Sequence, residues 1–170
     1  MADDARLDIT ALIMDDHEWF RRQFAQLDDA NTPEELAAVW EPLATRLDTH
    51  AQAEETIFYP ALLKRGDEAE EETDDAIRDH NKIRDAVADA RTREIGSHEW
   101  YEAVGRARTE NTEHLGEEED EGLPDFRKNA SLELRARLGE LWLQFYAIHP
   151  DGEGIHTGDV DPEEYVEDNS

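Results

Sequence analysis

The chain contains no cysteine. Disulfides, thiolate catalysis, cysteine-bound zinc and iron–sulfur clusters are excluded with it. Any metal must be held by His, Asp or Glu. Positive charge is scarce as well. Against 45 Asp and Glu stand 17 Lys and Arg, for a formal net charge of −28, and only Lys64, Lys82 and Lys128 are lysines. Nucleic acid and anionic membranes both recruit basic surfaces, so neither is an expected partner. No apolar run approaches the roughly 20 residues of a membrane span. The start, Met1-Ala2-Asp3-Asp4, lacks the basic and apolar parts of a signal peptide. The expectation is a soluble, cytoplasmic protein. Alternating runs of Val, Ile and Thr and hairpin turns are also missing, which leaves an all-α fold.

An acidic excess of this size has two physical meanings. High net charge with few apolar residues gives disorder. Alternatively, the protein works in a salt-rich medium. There a Debye length of about 3 Å at 1 M salt screens the self-repulsion that would loosen the fold. The apolar residues are ordered at helical spacing, which favours salt adaptation. The acidic surface is then a solvated face.

The 170 residues suit one domain with a real core. Ile9, Ile13, His17, Phe20, Phe24 and Leu27 recur at intervals of four and three, one stripe of an amphipathic helix. Thr32-Pro33 with Glu35 reads as a capping box opening a second helix. That helix carries Leu36, Leu43, Leu47, His50, Glu54 and Ile57 on one face and ends near Gly66. A third helix within 67–95 carries Ala76, His80, Ile83, Val87 and Ala90. Gly96-Ser97 stops it and caps a fourth, which carries Trp100, Val104, Ala107, Asn111, His114 and Glu118. After a turn at 129–131, Leu134, Leu138, Leu141, Phe145 and Ile148 mark a fifth helix, expected to pack across the bundle or against a second subunit. Residues 1–149 thus read as a helical bundle with a C-terminal helix. Residues 150–170 hold eight acidic residues and no Lys or Arg, and read as a disordered or loosely draped tail.

The chain repeats itself. His50 to His114, Glu54 to Glu118 and Pro60 to Pro124 are each 64 residues, and Asp16-His17 matches Asp79-His80 at an offset of 63. A helix hairpin is used twice. Each copy brings a lone His from its first helix and a His-x3-Glu from its second. Residues four apart share a helix face, so four imidazoles and two carboxylates are expected inside the bundle. A buried, ionised Glu costs several kcal/mol unless compensated. Arg21 and Arg84, one turn beyond His17 and His80, are the nearest side chains that could pair with Glu54 and Glu118. Two divalent cations compensate better, and helical bundles are a known home for dinuclear carboxylate sites. Mixed imidazole and carboxylate ligands suit iron, and carboxylates suit manganese. Ligand type leaves zinc open.

This pattern resembles the hemerythrin-like, or HHE cation-binding, family over about residues 7–128. The resemblance implies an antiparallel up-down-up-down four-helix bundle around two iron ions. Glu54 and Glu118 would bridge the ions, and His17, His50, His80 and His114 would complete their shells. There is one departure. Oxygen-carrying members have a fifth His four residues after the third-helix His, and here that residue is Arg84, which cannot ligate metal. An open position is where a small molecule binds at a reactive metal. The expected function is a non-haem di-iron protein that binds or reacts with dioxygen, peroxide or nitric oxide. The alternative is a non-catalytic iron binder for storage, delivery or sensing of iron or oxygen. Glu55 and Glu119 are further ligand candidates. His98, His149 and His156 are not expected at the metals, Tyr59, Tyr101 and Tyr146 have no assigned place, and the sequence leaves the oligomeric state open.

Overall fold

A computed structural model describes residues 7–170; the acidic start Met1–Asp4 lies outside them. The described chain is helical, with no strand among its residues. Helix α1 spans Ile9–Asp29 and is capped by the Asp8 carboxylate, which accepts from the Thr10 N–H. Helix α2 spans Pro33–Ala53 and opens on the expected capping box of Thr32 and Glu35. It runs through a π turn, Glu54–Phe58, into α3, Tyr59–Arg65. Helix α4 is Ala69–Arg91. Gly96, at φ +85°, turns the chain, and Ser97 caps α5, His98–Glu117. A second π turn, Glu118–Gly122, leads into α6, Leu123–Asn129. Ser131 caps α7, Leu132–Ile148, and α8 is Pro162–Asn169.

The two π turns have one cause. Pro60 and Pro124 each lie six residues after a motif Glu. Proline has no N–H for the carbonyl four residues back, and its ring collides with that carbonyl. The helix widens by one residue instead. The Tyr59 N–H bonds the Glu54 carbonyl, and the Leu123 N–H bonds the Glu118 carbonyl.

Burial follows the stripes and divides into two apolar layers. Phe20, Phe24, Leu43, Leu47, Ile83, Val87, Trp100 and Val104 fill one. Ile9, Ile13, Phe58, Leu62, Ile77, Leu123, Phe126 and Trp142 fill the other. His17, His50, His80 and His114 lie along their helices where the chain passes from one layer to the other. The buried polar groups thus form a sheet of chemistry between two apolar caps. Helix α7 packs on α1 and α2 and closes one side of the bundle. It passes so near the chain start that a Cβ on Gly139 would lie 1.3 Å from the Leu7 carbonyl oxygen.

Residues 150–170 depart from the disorder considered for them. The Asn81 side chain donates to the Val160 carbonyl at 2.7 Å and accepts from the Val160 N–H at 2.9 Å. Ile155, Val160 and Tyr165 pack on the second apolar layer, and the Tyr165 hydroxyl donates to the Glu55 carbonyl. Charge and glycine dominate this segment, so three spaced apolar anchors leave no periodic mark in it.

Candidate metal centre

The structure brings all six predicted residues together. His17, His50, Glu54 and Glu118 form one group whose ligand-type atoms lie within 4.8 Å of one another; Glu54, His80 and His114 form a second. Glu54 belongs to both. All six are buried.

Each imidazole is held from behind by a carboxylate. His50 Nδ1 donates to Asp16 Oδ2 at 2.9 Å, and His17 Nδ1 to Glu119 Oε1 at 3.0 Å. His80 Nδ1 donates to Glu55 Oε1 at 2.9 Å. His114 Nδ1 faces Asp79 Oδ2 at 3.6 Å, the loosest of the four. An ionised carboxylate only accepts, so Nδ1 carries the proton and Nε2 keeps its lone pair. Such outer carboxylates fix the ring and raise the basicity of a metal-binding imidazole.

The arrangement is two-fold in pattern. The Asp before each lone His holds the His-x3-Glu imidazole of its own hairpin. The Glu after each motif Glu holds the lone His of the other hairpin. Glu55 and Glu119, the further ligand candidates, are thus engaged behind two of the imidazoles. They point at His80 and His17. Arg21 and Arg84 do not pair with Glu54 and Glu118 either. Arg84 clamps Glu55 at 2.8 and 2.7 Å, and Arg21 clamps Glu119 at 3.0 and 2.8 Å.

Charge follows these contacts. Burial alone would raise Asp16, but His50 and Arg46 overturn it and hold the carboxyl at about 2. Burial also opposes the ionised Glu55, which His80 and Arg84 hold at about 2. For Glu119 the His17 hydrogen bond leads, and the value is again about 2. Burial and the neighbouring Glu118 push Glu54 well above the usual carboxylate range. Burial brings His80 down to about 4, with His114 adding to it.

The inner atoms are left without partners. His17 Nε2, His50 Nε2, both Glu54 oxygens and Glu118 Oε2 are buried and make no hydrogen bond. His80 Nε2 and His114 Nε2 face each other at 3.2 Å, and two lone pairs at that distance need a proton or a cation between them. His17 Nε2 lies 3.1 Å from Glu118 Oε2. Among native proteins such orphans are few, and a bound ion is one of their standard causes. The donor set fits two cations.

Asp16, Asp79 and Tyr59 were not assigned functional roles by spacing. The two Asp–His dipeptides were the visible signal for the first two. Tyr59, whose hydroxyl donates to Glu118 Oε1 at 2.7 Å, had none, since Leu123 stands at its place in the second hairpin. The Tyr146 hydroxyl donates to Asp16 Oδ2 at 2.8 Å. Tyr101 is half exposed. The rings of Phe20 and Trp142 stand edge-on to His50, with centroids 5.2 and 5.4 Å away. His98, His149 and His156 take no part in either group.

A helical bundle with buried, carboxylate-backed imidazoles around unpartnered glutamates defines a class of metal-binding protein. The family model described as "Hemerythrin HHE cation binding domain" matches residues 8–126, and the chain belongs to that family. No curated protein and no solved structure matches it. Among the described residues no helix is long and apolar enough to cross a membrane.

Proposed function

We propose that the chain holds a dinuclear iron centre that binds or reacts with a small molecule such as dioxygen, peroxide or nitric oxide. The observation that carries this is the set of five buried, unpartnered atoms on His17, His50, Glu54 and Glu118. His17 and His50 would hold one ion, His80 and His114 the other, with Glu54 and Glu118 between them. The surrounding helices are read as an up-down-up-down antiparallel bundle, supported by the alternating order in which α1, α2, α4 and α5 meet the two apolar layers.

Iron, when bound, supplies the redox chemistry toward such molecules. The chain's own residues do the rest. Asp16, Glu55, Asp79 and Glu119 keep the four Nε2 lone pairs turned inward. Arg84 and Arg21 hold two of those carboxylates in place. Phe20 and Trp142 keep water from the His50 side. Arg84 stands where oxygen-carrying relatives place a further imidazole, so the His80 side would have one ligand fewer.

Elemental analysis and a visible spectrum of protein purified in high salt test this. The expected result is about two iron ions per chain and an iron charge-transfer band that is lost in Glu54→Ala and Glu118→Ala and shifts with peroxide, nitric oxide or dioxygen. Manganese or zinc in place of iron would overturn the metal assignment. Bound iron whose band ignores all three molecules would turn the function toward storage or sensing.

A further inference from the structure

The two hairpins are alike at the metal groups and unlike beside them. A narrow opening runs inward between α4 and the second π turn and reaches Tyr59, His114 and Glu118. Its wall is formed by Glu72, Asp75, Ala76, Glu117, Glu121 and Gly122. Its volume is about 20 Å³, room for one water or one bare cation. At the offsets of 63 and 64, the first hairpin has Ile9, Leu12, Ile13, Ala53, Ile57 and Phe58 at these places. Ile9, Ile13, Ala53 and Phe58 are wholly buried. One side is therefore plugged with apolar side chains. On the other, every plug residue is replaced by a carboxylate or by a small residue.

We propose that this opening, lined by Glu72, Asp75, Glu117 and Glu121, is the route by which divalent cations reach the dinuclear site. The inference rests on the metal assignment above. Two buried carboxylate oxygens along the route have no hydrogen-bond partner, Glu72 Oε2 near its outer part and Glu118 Oε2 at its inner end. Glu118 is itself 5% exposed. A dehydrating cation needs oxygen ligands at each stage, and carboxylates spaced along a narrow wall supply them in turn. The opposite side lacks this chemistry. There Arg46 at 2.6 Å and Tyr146 at 2.8 Å close over Asp16, a positive and aromatic lid. Asp79, the counterpart of Asp16, has beyond His114 the exposed Lys82 at 3.3 Å. The same acidic lining disfavours anions, so the route discriminates by charge before any ligand is met.

Metal uptake by the metal-stripped full chain tests the route. Cobalt(II) serves as the probe, followed by its visible absorption after rapid mixing, with final metal content from elemental analysis. Two variants attack the route differently. At about pH 8.5, above the value of about 8 to which the Glu72 carboxyl is raised, Glu72→Gln with Glu121→Gln removes charge. Gly122→Leu fills the opening; a Cβ there meets only Leu62 Cδ2 at 3.8 Å and Glu118 Cγ at 3.9 Å, ordinary contacts. Both are expected to slow uptake about ten-fold or more while reaching the wild-type metal content. A control with Glu34→Gln and Glu41→Gln, away from the opening, should load at the wild-type rate. If both route variants load as fast as wild type, the route is wrong and the metal site stands. If wild type takes up no cobalt and no iron, the metal assignment fails and the route falls with it.

Discussion

Arg84 clasps Glu55 through two parallel hydrogen bonds of 2.8 and 2.7 Å, with the Arg84 side chain 1% and the Glu55 side chain 8% exposed. Its counterpart, Arg21 on Glu119, makes the same two-pronged contact with its guanidinium half exposed. The two pairs therefore differ in what they contribute. Removing one partner of a buried pair strands a charge, at about 3–5 kcal/mol, whereas an exposed pair is worth about 0–1 kcal/mol. Arg84→Leu should lower the denaturation free energy by the larger amount and Arg21→Leu by the smaller, measured by chemical unfolding in high salt. Equal losses would mean that burial does not distinguish the pairs.

Asp16 and Asp79 are expected to act on the metals through His50 and His114. Asp16→Asn keeps an acceptor for the imidazole N–H but loses the charge that makes Nε2 a better donor. Loss of such an outer partner costs about 10–100-fold in metal affinity. Competition against a chelator should show that loss for Asp16→Asn. A smaller loss is expected for Asp79→Asn, whose contact to His114 is longer at 3.6 Å. Unchanged retention in both variants would remove the outer carboxylates from the account.

Glu72 gives the chain a pH dependence of definite sign. Burial first, then Asp125, Glu121 and Glu68, push its carboxyl from 4.5 up to about 8. The folded state binds a proton that the unfolded chain has released, so stability falls as pH rises between those two values and levels off above them. Glu72→Gln removes the penalty. In metal-free protein at fixed salt, the variant should gain on the order of 1 kcal/mol near pH 8.5, after discounting for solvent screening, and nothing near pH 4. A gain of the same size at both pH values would trace to packing.

The formal charge of −28 predicts a salt requirement. Screening fades as the Debye length grows from about 3 Å at 1 M salt to about 10 Å at 0.1 M. The melting temperature should drop steadily on dilution into low salt, and the protein should unfold at the low end. A melting temperature independent of salt would undercut adaptation to a salt-rich medium.

What could be read from the sequence was local and periodic. Thr32 and Glu35 sit three residues apart and form the capping box expected of them. The stripes through His17, His50, His80 and His114 carry helical spacing, and the repeat at 63 and 64 residues separates those four from His98, His149 and His156. What could not be read is set by contacts between distant segments. The reach of Tyr59 to Glu118 crosses 59 residues, and that of Tyr165 to the Glu55 carbonyl crosses 110. Nothing in the spacing of either tyrosine encodes its partner. The partners of Glu55 and Glu119 likewise lie on the other hairpin, His80 and His17, beyond the reach of local spacing.

The π turns set the length of the unit that carries the consecutive glutamates. On an α-helix, neighbours splay by about 100°. Glu54 keeps ordinary helical angles, φ −63° and ψ −45°, and faces inward, while Glu55 beside it turns to His80. A π turn is an insertion carried inside a helix, and this chain carries it twice, each time tied to a proline. The repeated unit is therefore longer than a three-residue gap between His and Glu. It is His-x3-Glu-Glu-x4-Pro, in which the second Glu is the outer clamp and the proline keeps the inserted residue from being absorbed. Deleting Thr56 or Asp120 would force the proline ring against the carbonyl four residues before it, the collision that the widened turn avoids.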